Sequence, residues 1–154
     1  MTNRYHEGQR EFQDRFDTRR LADRLAEGSS DTFGGDLAVF IEARDMFFIA
    51  STDTDGSPDC SYKGGDPGFV RVIDDSTLAF PVFDGNGMFR TLGNLKVNPR
   101  VGLLFIDFQS PKRLRVHGRA RRESLATIAA PWPEAQFAIL VEVDPGGAGR
   151  EGDV

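Results

Sequence analysis

The chain has 154 residues, 39% of them hydrophobic and 28% charged, with a formal net charge of −5. That length suits one domain with its own core, and the acidic balance argues against a general nucleic-acid binder. A single cysteine, Cys60, excludes an intramolecular disulfide and a cysteine-based zinc cluster, and two histidines, His6 and His117, leave little for a histidine-rich metal site.

In chain order, the charged stretch "NRYHEGQREFQDRFDTRR" lacks the apolar run of a targeting segment, and no stretch approaches the ~18 apolar residues of a membrane span. A cytoplasmic protein with no membrane partner is the expectation. Phe12, Phe16, Leu21 and Leu25 fall near one face at helical spacing and predict a helix over 9–26. "EGSSDTFGGD" (27–36) reads as a loop, and "LAVFIEAR" (37–44) as a short helix with Asp36 as N-cap.

The pattern then turns to strands: "MFFIAST" (46–52), "CSYK" (60–63), "GFVRVID" (68–74) and "TLAFPVF" (77–83), separated by Gly- and Asp-rich turns. Met88, Leu92 and Leu95 suit one face of a helix that Pro99 stops. "VGLLFIDF" (101–108) reads as a strand covered on both faces. "KRLRVHGRARR" (112–122) alternates, with Leu114, Val116, Gly118 and Ala120 on one side and Arg113, Arg115, His117 and Arg119 on the other. A short helix over 124–130 and a last strand over 137–143 follow, with Trp132 between two prolines as a packing anchor. The tail "DPGGAGREGDV" lacks apolar residues and reads as disordered. The pattern predicts a mainly β (α+β) fold: a small antiparallel barrel with helical decoration. It divides into a helical leader (1–36), a barrel (37–143) and a tail (144–154). The 13 phenylalanines fit a packed β core or a hollow lined with aromatic rings.

Two glycine-flanked segments carry the candidate chemistry. "SYKGGDPG" brings Ser61, Tyr62 and Lys63 to the end of a strand. "DGNGMFRTLGN" places Asn86 and Gly87 in a turn before a helix whose first turn holds Arg90 and Thr91. A helix N-terminus favours anions, and a cation there opposes the dipole unless an anion sits between. Taken alone, each cation also fits a surface residue after a turn. The basic stripe at 112–122 lacks the interleaved aromatics that stack on bases, so a solvated face is its plainer reading. Cys60, beside Asp59, reads as a buried inert thiol.

The ordered set "FFIASTDTDGSPDCSYKGGDPGFVRVIDDSTLAFP", "DGNGMFRTLGN", "NPRVGLLFIDF" and "RLRVHGRA" resembles the pyridoxamine 5′-phosphate oxidase-related family of FMN-binding split barrels, over about residues 40–122. The resemblance implies a six-stranded Greek-key split barrel that forms homodimers with FMN at the subunit interface. It implies flavin chemistry on a small-molecule substrate, with no catalytic side chain and no nucleic-acid partner. Ser61, Tyr62 and Lys63 stand where relatives lay a strand beside the flavin, and Arg90 where they hold the FMN phosphate. Thr91 replaces a lysine common at that place, and Asn86 and Gly87 form the phosphate-side turn. Arg113 and Arg115 lie on the strand that passes near the flavin or the neighbouring subunit. Nothing matches the arginine and histidine pair with which the oxidase that makes pyridoxal phosphate holds its substrate phosphate. The alternatives are a flavin carrier or sensor without turnover, or a split barrel that uses F420 or haem.

Overall fold

The computed structural model describes residues 5–83, 87–126 and 132–151, the last two by backbone alone. Its elements are α1 (Glu7–Arg15), α2 (Arg19–Glu27), α3 (Asp36–Glu42), β1 (Met46–Thr52), β2 (Pro58–Gly64), β3 (Arg71–Asp74), β4 (Thr77–Val82), α4 (Arg90–Val97), β5 (Arg100–Ile106), β6 (Arg113–Glu123) and β7 (Phe137–Glu151).

All strand pairs are antiparallel, in one sheet of order β2-β1-β5-β6-β7-β4-β3. The β5–β6–β7 meander lies at the centre, and β4 returns to pair with β7, which is Greek-key connectivity. Three strands separate β1 from β4 in the sheet, so a flat sheet would hold them roughly 19 Å apart at ~4.8 Å per strand. The Phe47 ring on β1 instead meets the Phe80 ring on β4 at 5.0 Å, and the Phe105 ring on β5 at 5.1 Å. The sheet is therefore curled into a barrel around those rings. Its edge strands β2 and β3 do not pair with each other, so the barrel is split. The sheet has seven strands, as the sequence pattern reads, rather than the six the resemblance implies; short β3 pairs with β4 across a turn in which the Asp74 carboxylate accepts the Ser76 N–H at 2.9 Å.

Period-two alternation fills the interior. Phe47 and Ile49, Val101, Leu103 and Phe105, Leu114 and Val116, and Ile139 and Val141 point inward and are buried. Trp132 is an anchor as expected: it covers the outer side of β4 and β7, packing with Ala79, Ala135, Ala138 and Leu140. The predicted 124–130 helix falls mostly outside the described residues.

Two regions depart from the sequence pattern. The leader is not one helix: Asp17 at φ 55° breaks it. The Phe12, Phe16, Leu21 and Leu25 face is not buried, each residue remaining at least half exposed. The expected disordered tail is, through residue 151, the second half of β7. Ala148 pairs with Val116 and Gly149 with Arg115, and Ala148 is fully buried. Backbone hydrogen bonds, not apolar side chains, hold this segment, and a composition argument has no access to them. A Cβ at Gly147 would stand 2.3 Å from the His117 carbonyl oxygen, so glycine permits the approach. α3 begins on Asp36 with Gly35 as its N-cap, and β3 starts only at Arg71, because Gly68, at φ 89°, is still part of the turn.

Candidate functional site

β1 and β2 form a hairpin in register from Met46–Gly64 to Thr52–Pro58. α4 lies against it, tied by two hydrogen bonds from side-chain amides: Asn94 Nδ2 donates to Ser51 Oγ at 2.9 Å, and Asn98 Nδ2 to Thr52 Oγ1 at 2.7 Å. This clamp sets the start of α4 beside the end of β2. Between them opens a cleft of about 330 Å³, lined by Ser61, Tyr62 and Lys63 from β2, by the 87–92 segment, and by Val82, Phe83 and Ile139.

Six of the nine residues singled out in the sequence line this one cleft: Ser61, Tyr62, Lys63, Gly87, Arg90 and Thr91. Asn86 lies outside the described residues. Arg113 and Arg115 do not line it; they are exposed on the outer face of β6, opposite Ile106 and Leu104 of β5. His117 shares that face. Cys60 is exposed rather than buried, because β2 is an edge strand and its even-numbered positions face outward.

Lys63 and Arg90 have no ion pair or side-chain hydrogen bond among the described residues. Lys63 is half-buried, and desolvation holds its ammonium below the ordinary 10.5, with Asp59 only partly offsetting the effect. A half-buried cation that no carboxylate contacts directly, with Asp59 acting only at a distance, is poorly satisfied as it stands. The helix above it has the same deficiency. Phe89, the N-cap of α4, sits in the left-handed region at φ 47° and offers no side-chain cap to the first N–H groups. A bulky residue there costs on the order of 1–3 kcal/mol. Its strain turns the chain so that uncapped donors and Arg90 open onto the cleft. Anions are favoured at such a point by donors, dipole and charge together.

The hydroxyls form a chain. Thr91 Oγ1 donates to Ser61 Oγ at 3.4 Å, and Ser61 Oγ donates to Asp59 Oδ2 at 2.9 Å. The long first link leaves the buried Thr91 hydroxyl weakly held and easily redirected to a ligand. Gly64 has a defined steric role, since a Cβ there would stand 2.6 Å from the Tyr62 hydroxyl. The Tyr62 ring thus folds along β2, with its edge toward Phe48 at 6.2 Å between centroids.

The sequence reading missed Phe83, Met88, Phe89 and Asp59. The first three carry a signal: the run "FDGNGMF" sets three large apolar residues about a glycine turn, although the pattern reads Phe83 as strand and Met88 as helix face. All three are exposed in the structure, at 42%, 58% and 43%. A cleft with a cationic, donor-rich end and an apolar lining suits a ligand with a phosphate at one end and a flat ring at the other. That is the shape and charge of FMN, so the side chains present fit it. The cleft lining includes no histidine or cysteine among the described residues.

Among the described residues no helix is long and apolar enough to cross a membrane, and no cluster of three or more His, Cys, Asp or Glu suits a metal ion. The profile of the pyridoxamine 5′-phosphate oxidase family matches residues 35–147. Comparison of the sequence with curated proteins finds no match. Solved structures share the fold. A HupZ variant from Group A Streptococcus is 17% identical with a TM-score of 0.59, over 77% of this chain and 98% of that one. A protein of Lactobacillus delbrueckii named after pyridoxamine 5′-phosphate oxidase is 20% identical with a TM-score of 0.56, over 75% and 97%. A FAD-binding protein from Mesorhizobium loti is 16% identical with a TM-score of 0.51, over 79% and 97%. At these identities the likeness concerns the fold alone.

Proposed function

The chain belongs to the pyridoxamine 5′-phosphate oxidase-related family, and on that premise we propose that it is an FMN-dependent oxidoreductase acting on a small molecule as a homodimer. The observation that carries the reading is the pair Lys63 and Arg90, two cations from distant segments that open onto one cleft with no ion pair among the described residues. Arg90 and the α4 donors hold the phosphate, and Thr91 adds its hydroxyl. Lys63 and Ser61 lie along the ribityl chain and the ring, with Tyr62 and Phe83 against the apolar face. Bound FMN supplies hydride or electron transfer at N5. The protein contributes position, charge balance and exclusion of water, and no protein nucleophile is required. The exposed Tyr62, Met88 and Phe89 at the mouth of the cleft are the surface that a second subunit covers. The absence of histidine and cysteine from the described lining weighs for a flavin over haem, whose iron those side chains commonly hold.

Isothermal titration of the full chain with FMN, beside F420 and haemin, tests the cofactor. FMN binding saturably and in preference to the other two is the expected result; tighter F420 or haemin binding overturns it. Flavin reduction by NAD(P)H and re-oxidation in air separate an enzyme from a carrier. Sedimentation with and without FMN tests the dimer.

A further inference from the structure

A second cleft of about 320 Å³ adjoins the first, and Phe83 lines both. Three aromatic side chains, Phe69, Phe83 and Trp132, contribute to its walls. Phe69 is held by stacking on Phe47, with ring centroids 5.9 Å apart, and Trp132 is fixed in the cluster on the outer side of β4 and β7. Gly65 is what admits the Phe69 ring, since a Cβ there would stand 2.7 Å from it. These walls are therefore preformed. The Trp132 indole N–H is buried without an acceptor among the described residues, so one polar group of the wall is still unmet.

The polar lining has both signs. Arg71 comes from β3, Asp66 from the turn after β2, and Glu134 from the segment before β7. All three side chains are exposed, and none has an ion-pair or side-chain hydrogen-bond partner among the described residues, Arg71 not even with the two carboxylates of its own cleft. Their charges are left to water or to a ligand in the cleft. We propose that this cleft binds a small aromatic zwitterion, an amino-acid-like molecule whose ring lies among Phe69, Phe83 and Trp132. Its carboxylate meets Arg71 and its ammonium meets Asp66 and Glu134. The binding stands on this cleft alone. That the ligand is the substrate, brought up to the cofactor on the far side of Phe83, rests on the flavin reading above.

Trp132 is the chain's one tryptophan, so indole emission reports this cleft directly. Three probes share a ring and differ in charge: L-phenylalanine, phenylacetate and phenethylamine. Titrated into the full chain, L-phenylalanine is expected to shift Trp132 emission saturably and at the lowest concentration. Arg71→Ala should weaken phenylalanine and phenylacetate by about tenfold or more and spare phenethylamine. Glu134→Gln should weaken phenylalanine and phenethylamine and spare phenylacetate. Both positions are exposed, so the fold is not at stake. Emission unmoved by all three probes, or equal response to all three in every variant, overturns the proposal. FMN titration of the same samples by flavin emission separates the two readings. Loss of zwitterion binding with FMN affinity intact refutes only the second cleft, and the converse refutes only the first.

Discussion

The cleft and the outer face of β6 are both rich in cations, and they differ in what surrounds each charge. On β6, Arg113, Arg115, Arg119 and Arg121 stand exposed in a row. Arg121 reaches Glu123 at 3.3 Å, and Arg100 on neighbouring β5 reaches Asp144 at 3.8 Å. Such surface pairs are worth about 0–1 kcal/mol, and water serves the charges well in any case. Among the described lining of the cleft the cations are Lys63 and Arg90, yet neither makes an ion pair there, and one is half-buried. Number of charges is thus a poor guide to an anion site. Concavity and an unmet charge are better guides.

The largest expected effect in that comparison is at Arg90. Arg90→Ala should weaken FMN binding by about 1.5–3 kcal/mol, the scale of a charge-assisted hydrogen bond, as read by calorimetric titration; unchanged affinity would remove Arg90 from the site. Lys63→Met should cost about 1–2 kcal/mol in FMN affinity, less than Arg90, because removing the cation also removes a desolvation penalty. It should leave a second mark, in the pH profile. The folded chain without ligand holds Lys63 below 10.5, so the unfolded state binds more protons and stability rises with pH from the lowered value to 10.5. An anion favours the protonated lysine. FMN affinity should therefore fall as pH rises through the lowered value, and Lys63→Met should flatten that slope. Titrations at several alkaline pH values decide it.

Thr91→Val tests the hydroxyl chain, and a loss of about 0.5–1.5 kcal/mol in FMN affinity is expected, the net worth of a neutral hydrogen bond. The smallest effect belongs to the other side of the comparison. Arg113→Ala with Arg115→Ala should change FMN affinity by less than about 0.5 kcal/mol, as for other surface substitutions. A loss as large as that at Arg90 would mean that these arginines serve a neighbouring subunit's cofactor.

Much of the barrel was legible because its residues announce their environment. β1 falls at 46–52 as read, since Phe47 and Ile49 must be covered and β-branched and aromatic residues favour strands. The alternation of β6 predicted its buried side residue for residue. The leader was less legible. Its apolar spacing argues for a buried helical face, but Asp17 adopts a left-handed conformation and that face stays at least half exposed. The tail was illegible for the opposite reason, because its interactions are made by backbone. In the cleft, glycines and cations were visible as unusual neighbours in the chain. Their convergence depends on the Asn94 and Asn98 amides that moor α4 to β1, and nothing in their local sequence marks those bonds.

The bridge between Ser30 and Ala148, two backbone bonds of 2.7 and 3.1 Å, joins the end of the leader to the late half of β7. A ribosome delivers Ser30 long before Ala148, so this bridge cannot close until nearly the whole barrel has been made. A tag or cut near residue 148 would be felt first by helices at the opposite end of the sequence.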